Sequence, residues 1–246
     1  MGQFFDTIPT SLIPWIQKQH MFWVATAPLG GEGHVNVSPK GLDGAFHVVD
    51  EKTVWYEDIS GSGIETIAHL RETGNGRITV MLSAFEGPPR ICRLFGTGKV
   101  HEFGTPEYDR LLPPNERRPG SRAAIVITVH KVGTSCGYAV PYYEFKSHRT
   151  QLLEFYQRRE KAEVESATVD APEKGMRSYW LQKNMSSIDG IPGLLSAPYS
   201  DKEFRWSERD LERKIEMVMD KTSSMVDLKL VLAFTVGVVV SRLAWR

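Results

Sequence analysis

A succession of β-rich segments, from "MFWVATA" to "AAIVITVHKVG", occupies residues 21–132 and restricts the fold more than any other feature of the chain. The segments are rich in Val, Ile, Thr and aromatic residues, and glycine- or proline-rich joints such as "GGEG" and "EGPP" separate several of them. Five to seven strands at this spacing, with one or two helices between them, favour a closed or nearly closed antiparallel barrel over a parallel βαβ sheet. The predicted fold class is mainly β with flanking helices (α+β).

The character of the sequence changes near His148, where charged helical and loop-rich stretches begin. We predict a barrel domain at residues 1–147, a helical and loop extension at 148–225, and an apolar tail at 226–246. The tail contains eleven apolar or near-apolar residues from Leu230 to Val240. This run is shorter than the roughly 20 residues that a membrane-spanning helix needs. A membrane anchor and a buried or partner-seeking helix stay open as alternatives, and apolarity on every face favours the anchor.

Composition limits the classes of function. Lysine plus arginine and aspartate plus glutamate each total 30, so the net charge is zero and nothing indicates a nucleic-acid partner. Two cysteines, Cys92 and Cys136, do not make a disulfide scaffold and indicate a reducing compartment. With no secretory signal visible, the expected localisation is cytoplasmic, with or without a tail anchor. The seven histidines occur singly, so no zinc site is expected.

The stretch "YEDISGSGIETIAHL" predicts a glycine-bearing turn followed by a helix. Ser62 and Glu65 stand three residues apart, which predicts a capping box on a helix that begins near Gly63. In the alternative interpretation, the hydroxyls of Ser60, Ser62 and Thr66 hold an anionic group together with free backbone N–H groups. The pattern is neither a Walker loop nor a dinucleotide fingerprint.

A second turn, in "VNVSPKGLDG", places Lys40 at the end of a predicted strand, beside Gly41. A surface lysine in a hairpin turn is the alternative interpretation. Together the two turns can serve one phosphate, since one supplies a cation and the other supplies hydroxyl and amide donors.

Taken in order, the "SPKG-x-D" turn, two strands, the glycine turn with its helix, "RITVM" and "RICRLFGTGKV" resemble the FMN-binding split β-barrel of the pyridoxamine 5′-phosphate oxidase-like superfamily. The resemblance covers about residues 12–132. The segment "TSCGYAVPYYEF" and those after it resemble a fungal branch of that superfamily. The resemblance implies FMN as the cofactor, bound at the interface of a homodimer.

The resemblance also implies roles for individual residues. Lys40 corresponds to a lysine that binds the FMN phosphate, and Ser60 to a hydroxyl near the flavin. Where the family has Ser-Arg-Lys, this chain has Ile-Glu-Thr, so two cationic phosphate ligands are absent and Glu65 opposes an anion. Ile91 stands where the oxidase has a glutamine that contacts the ring. Either the ring is held differently, or Arg93 takes over the contact to its N1/C2 edge. The predicted cofactor-binding residues are Ser38, Lys40, Ser60, Ser62, Gly63, Thr66, Arg90 and Arg93.

The predicted function is an FMN-dependent oxidoreductase that transfers a hydride between the flavin and a small organic substrate. Because the cofactor carries such chemistry, no catalytic residue is assigned. The alternative is a non-enzymatic flavin- or haem-binding module, with or without a membrane tether, and a deazaflavin can replace FMN in either case. A third alternative is a barrel that has lost its ligand and acts through its dimer surface. Vitamin B6 synthesis is not expected, because "SRLAWR" lacks the proline of the oxidase's Arg-Leu-x-Pro close.

Overall fold

The computed structural model describes residues 2–166 and 173–206 of the chain. Each of the strands β2 to β8 overlaps one of the predicted β-rich segments, which confirms the mainly β fold class. A further short strand, β1, precedes them. The strands are β1 Gln3–Phe5, β2 Phe22–Thr26, β3 Asn36–Lys40, β4 Phe46–Val48, β5 Thr53–Ile59, β6 Arg77–Ser83, β7 Ile91–Glu102 and β8 Ser121–Ser135.

These strands form one antiparallel sheet in the order β3-β2-β6-β7-β8-β5-β4, with β1 paired to the far end of β8. Val24, Val80, Leu94 and Val132 lie side by side on four neighbouring strands, and all four are fully buried. Alternate residues of a strand point to opposite faces, so this row marks the inner face of the sheet. The hydrophobic core therefore lies inside the curve of the sheet.

Side chains connect the two ends of the sheet. The Phe22 ring on β2 lies 4.8 Å from the Phe46 ring on β4 and 5.5 Å from the Tyr56 ring on β5. Lys40 on β3 forms an ion pair with Asp58 on β5. The end strands β3 and β4 do not pair through their backbones in the described sheet. The sheet therefore curls into a barrel that side chains close, which confirms the predicted split β-barrel.

Short helices cover parts of the barrel. Thr105 caps α3 by accepting a hydrogen bond from the Tyr108 N–H at 3.3 Å, and Pro106 occupies the first position of that helix. In α2, Ile67, Ala68 and Leu70 are buried against the sheet. The helices are α1 Ile13–Gln17, α2 Glu65–Arg71, α3 Pro106–Leu111, α4 Gln151–Glu165 and α5 Met176–Lys183, with 3₁₀ turns at Thr10–Leu12 and Ala197–Tyr199.

The described part of the C-terminal extension packs on the barrel. Glu160 of α4 forms a buried ion pair with Arg117, at 2.7 Å between the nearest oxygen and nitrogen. The buried Glu102 carboxylate at the end of β7 accepts hydrogen bonds from the N–H groups of residues 195–197. Residues up to Arg205 form one compact unit. The boundary predicted at residue 147 stays a prediction.

One prediction lies wholly outside the described part of the chain. This is the apolar tail at 226–246, which contains Leu230 and Val240. Within residues 2–166 and 173–206, no helix is long and apolar enough to span a bilayer.

Candidate functional site

Residues 60–63 form a turn between β5 and α2, called here the 60–63 turn, and this turn is the centre of the candidate site. Within the part of the chain that the structure describes, the backbone N–H groups of Gly61, Ser62 and Gly63 have no hydrogen-bond acceptor. The side chain of Ser62 is exposed. Because backbone donors normally find a partner in protein, water or ligand, the turn offers three donors to an anion.

The start of α2 differs from the prediction. The helix begins at Glu65 with Ile64 as its N-cap, and no side chain in the described part of the chain caps it, so the predicted capping box of Ser62 and Glu65 is wrong. The physical reason is that Glu65 has another partner, since its carboxylate accepts a hydrogen bond of 3.3 Å from the Ile188 N–H. That carboxylate also fills the space where a Cβ at Gly63 would lie. A negative charge therefore lies beside the turn.

Two cations share a buried carboxylate next to the turn. Lys40 Nζ donates to Asp58 Oδ1 at 2.6 Å, and Arg122 Nε donates to Asp58 Oδ2 at 2.8 Å. Arg122 Nη1 also donates to the Gly63 carbonyl oxygen at 2.9 Å, which places the guanidinium at the turn itself. Burial opposes ionisation of Asp58, but the charges of Arg122 and Lys40 outweigh it and hold the pKa below its ordinary value of 3.8. The three side chains together carry one positive charge.

Ser38 and Thr66 belong to the same region, and Asn36 joins them. Ser38 Oγ donates to Asn36 Oδ1 at 3.0 Å, and Asn36 Nδ2 donates to Thr66 Oγ1 at 3.0 Å. The Thr66 hydroxyl is the acceptor in this bond, so its O–H group can still donate a hydrogen bond to another partner. The predicted residues on β3 and on α2 therefore converge on one polar cluster.

His69 lies behind this cluster. Its ring Nδ1 lies 3.0 Å from Thr26 Oγ1, and its Nε2 is buried without a hydrogen-bond partner in the described residues. Burial lowers the pKa of this imidazole below its ordinary value of 6.5, so the ring is neutral at pH 7. The structure thus gives His69 the character of a buried packing residue.

The Ser60 hydroxyl is used inside the protein. Ser60 Oγ donates to the Gly120 carbonyl oxygen at 2.7 Å and accepts from Trp180 Nε1 at 2.7 Å. Its side chain is buried. To donate to a phosphate, this hydroxyl would first have to give up the bond to Gly120. In this arrangement Ser60 anchors the turn to β8 and α5.

Arg90 and Arg93 lie apart from the turn. Arg93 pairs with Met81, which pairs with Trp23, whereas Lys40 pairs with Phe22. Neighbouring residues of β2 point to opposite faces, so Arg93 is on the outer face of the sheet and Lys40 on the inner one. Arg90 is exposed just before β7, with its guanidinium carbon 5.5 Å from the Trp15 ring centre. Within one chain, six of the eight predicted residues come together and these two do not.

An open, mostly apolar recess of about 360 Å³ lies on the outer face of the sheet. Ala25, Thr79 and Phe95 form a cross-strand row in its floor, and Val35 lines its edge. Arg93 lies on the same face, two residues before Phe95 on β7. The recess therefore offers an apolar surface with a cation nearby.

Asn36, Asp58 and Arg122 were missed by sequence reasoning. Arg122 is 64 positions from its partner Asp58, and no local motif links the two. The only signal was that Asn36 and Asp58 stand in the two segments already singled out, "VNVSPKG" and "YEDISGSG". Arg122 nevertheless supplies a cation at the turn, where this chain lacks the two basic residues of the family's Ser-Arg-Lys segment.

The described residues form no metal-binding cluster, and Cys92 is not a reactive thiol. No group of three His, Cys, Asp or Glu side chains in residues 2–166 and 173–206 could hold a metal ion. Cys92 and Cys136 are both free thiols. Burial raises the pKa of the Cys92 thiol to about 12, so this residue is not a thiolate at neutral pH.

Comparison with known proteins identifies the family. The pyridoxamine 5′-phosphate oxidase family protein ustO of Aspergillus flavus is 38% identical over 221 residues, which span 84% of this chain and 83% of the relative. This similarity shows that the chain belongs to the pyridoxamine 5′-phosphate oxidase family, as the resemblance of its motifs predicted. A scan against family models gave no match.

Solved structures show weaker similarity. The HupZ protein of Group A Streptococcus aligns with 52% of this chain and 99% of its own, at 21% identity and a TM-score of 0.39. A pyridoxinephosphate oxidase family protein of Clostridium acetobutylicum, related to general stress protein 26, aligns with 51% of this chain and 86% of its own, at 13% identity and a TM-score of 0.37. The family assignment does not rest on these scores.

Proposed function

We propose that the protein is an FMN-dependent oxidoreductase that binds the FMN phosphate at the 60–63 turn. One observation carries the proposal: the three N–H groups of the turn, which find no acceptor among the described residues, lie beside Lys40 and Arg122, the two cations that share Asp58. Membership of the pyridoxamine 5′-phosphate oxidase family supports a flavin as the class of ligand.

A phosphate at the turn would be held by hydrogen bonds more than by the net charge of the surrounding side chains. Lys40 and Arg122 supply two positive charges, while Asp58 and Glu65 supply two negative ones. A phosphate would therefore gain little from the summed charge of the site. It would gain from the free amides, from the exposed Ser62 hydroxyl and from the donors that Arg122 has left over. We therefore expect moderate affinity for FMN, and we expect this affinity to rise when the carboxylate of Asp58 or Glu65 is replaced by an amide.

The isoalloxazine ring would lie in the recess on the outer face. Phe95, Val35 and Ala25 give it an apolar surface. Thr26 lines the same recess and lies 3.5 Å from the Asn36 amide, which in turn bonds Thr66. The recess and the phosphate region therefore lie on opposite faces of β2 and are both next to Thr26, so a bound flavin would have to pass the edge of the sheet at β3. Arg93, on the outer face, would favour negative charge on the N1/C2 edge of the ring.

Bound FMN supplies hydride transfer to or from a small organic substrate. The chain binds the phosphate, orients the ring and keeps one face of the ring against apolar side chains. The same residues would serve a flavin carrier without turnover, so the substrate test below separates the two functions.

The experiment uses the purified full chain. We expect FMN to give a bound flavin absorption band and to raise the midpoint of thermal unfolding. NADH or NADPH should then reduce the bound flavin under anaerobic conditions, and a substrate panel should reoxidise it. A colourless protein that FMN does not stabilise would overturn the proposal. Reduction without reoxidation by any substrate would favour the non-enzymatic module.

We also propose that the protein is a homodimer, as the family resemblance implies. Val37 on the outer face of β3 is 60% exposed, and Val35, just before that strand, is 71% exposed, so two large apolar side chains face solvent side by side. Light scattering should give twice the monomer mass of 27.8 kDa. A monomer at micromolar concentration would contradict the dimer.

A further inference from the structure

The C-terminal extension is bonded directly to the 60–63 turn. Trp180 of α5 is fully buried, and its indole Nε1 donates to Ser60 Oγ at 2.7 Å. Ser60 Oγ in turn donates a hydrogen bond to the Gly120 carbonyl oxygen. The indole thus fixes both the position and the hydrogen-bond direction of the first residue of the turn.

The residue after α5 holds the next position of the turn. Asn184 is fully buried, and its Nδ2 donates to the Gly61 carbonyl oxygen at 2.9 Å. Gly193 packs against Ile64, the residue that follows the turn, and a Cβ at position 193 would collide with that side chain. The segments of Asn184 and Gly193 are themselves bonded, because the Leu194 N–H donates to the Asn184 carbonyl oxygen at 2.9 Å and the Gly193 N–H donates to the Met185 carbonyl oxygen at 2.8 Å. Two hydrogen-bonded segments of the extension therefore contact the turn and the residue that follows it.

Both bonds leave the amides of the turn free. Trp180 and Asn184 contact a hydroxyl and a carbonyl oxygen, while the N–H groups of Gly61, Ser62 and Gly63 have no acceptor in the described residues. Because an N–H and the preceding C=O of one peptide point in opposite directions, fixing the Gly61 carbonyl also fixes the Ser62 N–H. The contacts hold the turn in the orientation that presents its donors.

We propose that Trp180 and Asn184 are positioning residues for the 60–63 turn, so that the extension completes the anion-binding part of the site. The inference rests on the proposed flavin function for its ligand, and on the hydrogen bonds alone for its structural part. It assigns a role in binding to two residues far from the turn in sequence.

The test compares Trp180→Phe and Asn184→Leu with Tyr179→Phe in the full chain. Trp180→Phe keeps an aromatic ring but removes the donor, and Asn184→Leu removes the amide at similar size. The matched control, Tyr179→Phe, lies in the same helix and loses only a 3.4 Å bond to Tyr156. Amide hydrogen exchange is measured without ligand on the peptide that covers residues 56–70. FMN and riboflavin are then titrated separately into each variant.

Both turn variants should exchange faster than the wild type in that peptide, and the control should not. FMN affinity should fall about three- to tenfold in each, which is the loss expected for one hydrogen bond, while riboflavin affinity stays unchanged. A general loss of structure would weaken both ligands and speed exchange throughout. Unchanged exchange in the peptide overturns the inference even if FMN binds. Failure of the wild type to bind FMN contradicts the proposed function, and the exchange result still decides the inference.

Discussion

Lys40 of β3 donates to Asp58 of β5 over 2.6 Å and so joins the two ends of the barrel sheet. The Asp58 carboxylate is buried, and Arg122 neutralises its second oxygen. The lysine that the family resemblance assigns to the FMN phosphate thus also closes the barrel. Binding and stability are coupled at this residue, which makes Asp58 the more informative position to change.

Asp58→Asn should tighten FMN binding and destabilise the free protein. It removes a negative charge beside the proposed phosphate position, so FMN affinity should rise about tenfold. It also leaves the two cations without their shared anion, which should lower the free energy of unfolding by about 3 kcal/mol. Calorimetry and urea unfolding measure the two effects. Asp201→Asn, at an exposed aspartate, is the control. Weaker FMN binding in Asp58→Asn would contradict the placement of the phosphate.

Glu65→Gln should raise FMN affinity without changing riboflavin affinity. The glutamine keeps the size of the side chain and an oxygen that can accept the Ile188 N–H, but it removes the charge beside Gly63. Because the carboxylate is partly exposed, solvent screens it, and the gain should be about three- to tenfold. Fluorescence titration measures both ligands. Equal affinity of wild type and variant for FMN would show that the phosphate does not lie near Gly63.

The Glu102 carboxylate should govern part of the acid sensitivity. Burial opposes its ionisation, but the N–H groups of residues 195–197 and the charge of Arg71 hold its pKa below the ordinary value of 4.5. The unfolded state therefore binds the proton more readily, so this stabilisation is complete above about pH 4.5 and is lost as the pH falls through the folded-state pKa. Urea unfolding from pH 6 to pH 3 should show a steeper fall for wild type than for Glu102→Gln. Identical pH profiles would contradict this role.

Removing one partner of the buried ion pair between Arg117 and Glu160 should strongly lower the free energy of unfolding. Arg117→Met leaves the Glu160 carboxylate buried without its cation, and should lower the free energy of unfolding by about 3–5 kcal/mol. The double variant Arg117→Met/Glu160→Met should recover part of that loss, because no unpaired charge remains. Urea unfolding of the single and double variants measures the coupling. A single-variant loss below about 1 kcal/mol would argue against tight packing of α4 on the barrel.

The barrel could be predicted from the sequence because each strand is marked by a pattern of neighbouring residues. Strands β2 to β8 alternate or carry continuous β-branched residues, and these patterns need no knowledge of partners. The helix α5 was missed, since its buried residues Met176 and Trp180 are separated by a polar stretch with no capping signal. The capping box was wrong for a related reason, because the partner of Glu65 is Ile188, 123 positions away.

The candidate site was predicted in outline and not in its contacts. Six of the eight residues converge because they stand in two turns that the barrel brings together. The partners that decide their chemistry lie far along the chain: Arg122 is 64 positions from Asp58, and Trp180 is 120 positions from Ser60. No pattern within a turn can reveal them.

The most direct test of the phosphate site is the difference in affinity between FMN and riboflavin, which differ only in the phosphate. Both are titrated into wild type and Arg122→Gln by quenching of flavin fluorescence, with the melting temperature of each protein as a control for folding. We expect wild type to bind FMN at least about tenfold more tightly than riboflavin, and the gap to shrink in Arg122→Gln while riboflavin affinity stays the same. Equal binding of FMN and riboflavin by wild type would contradict a phosphate site at the 60–63 turn.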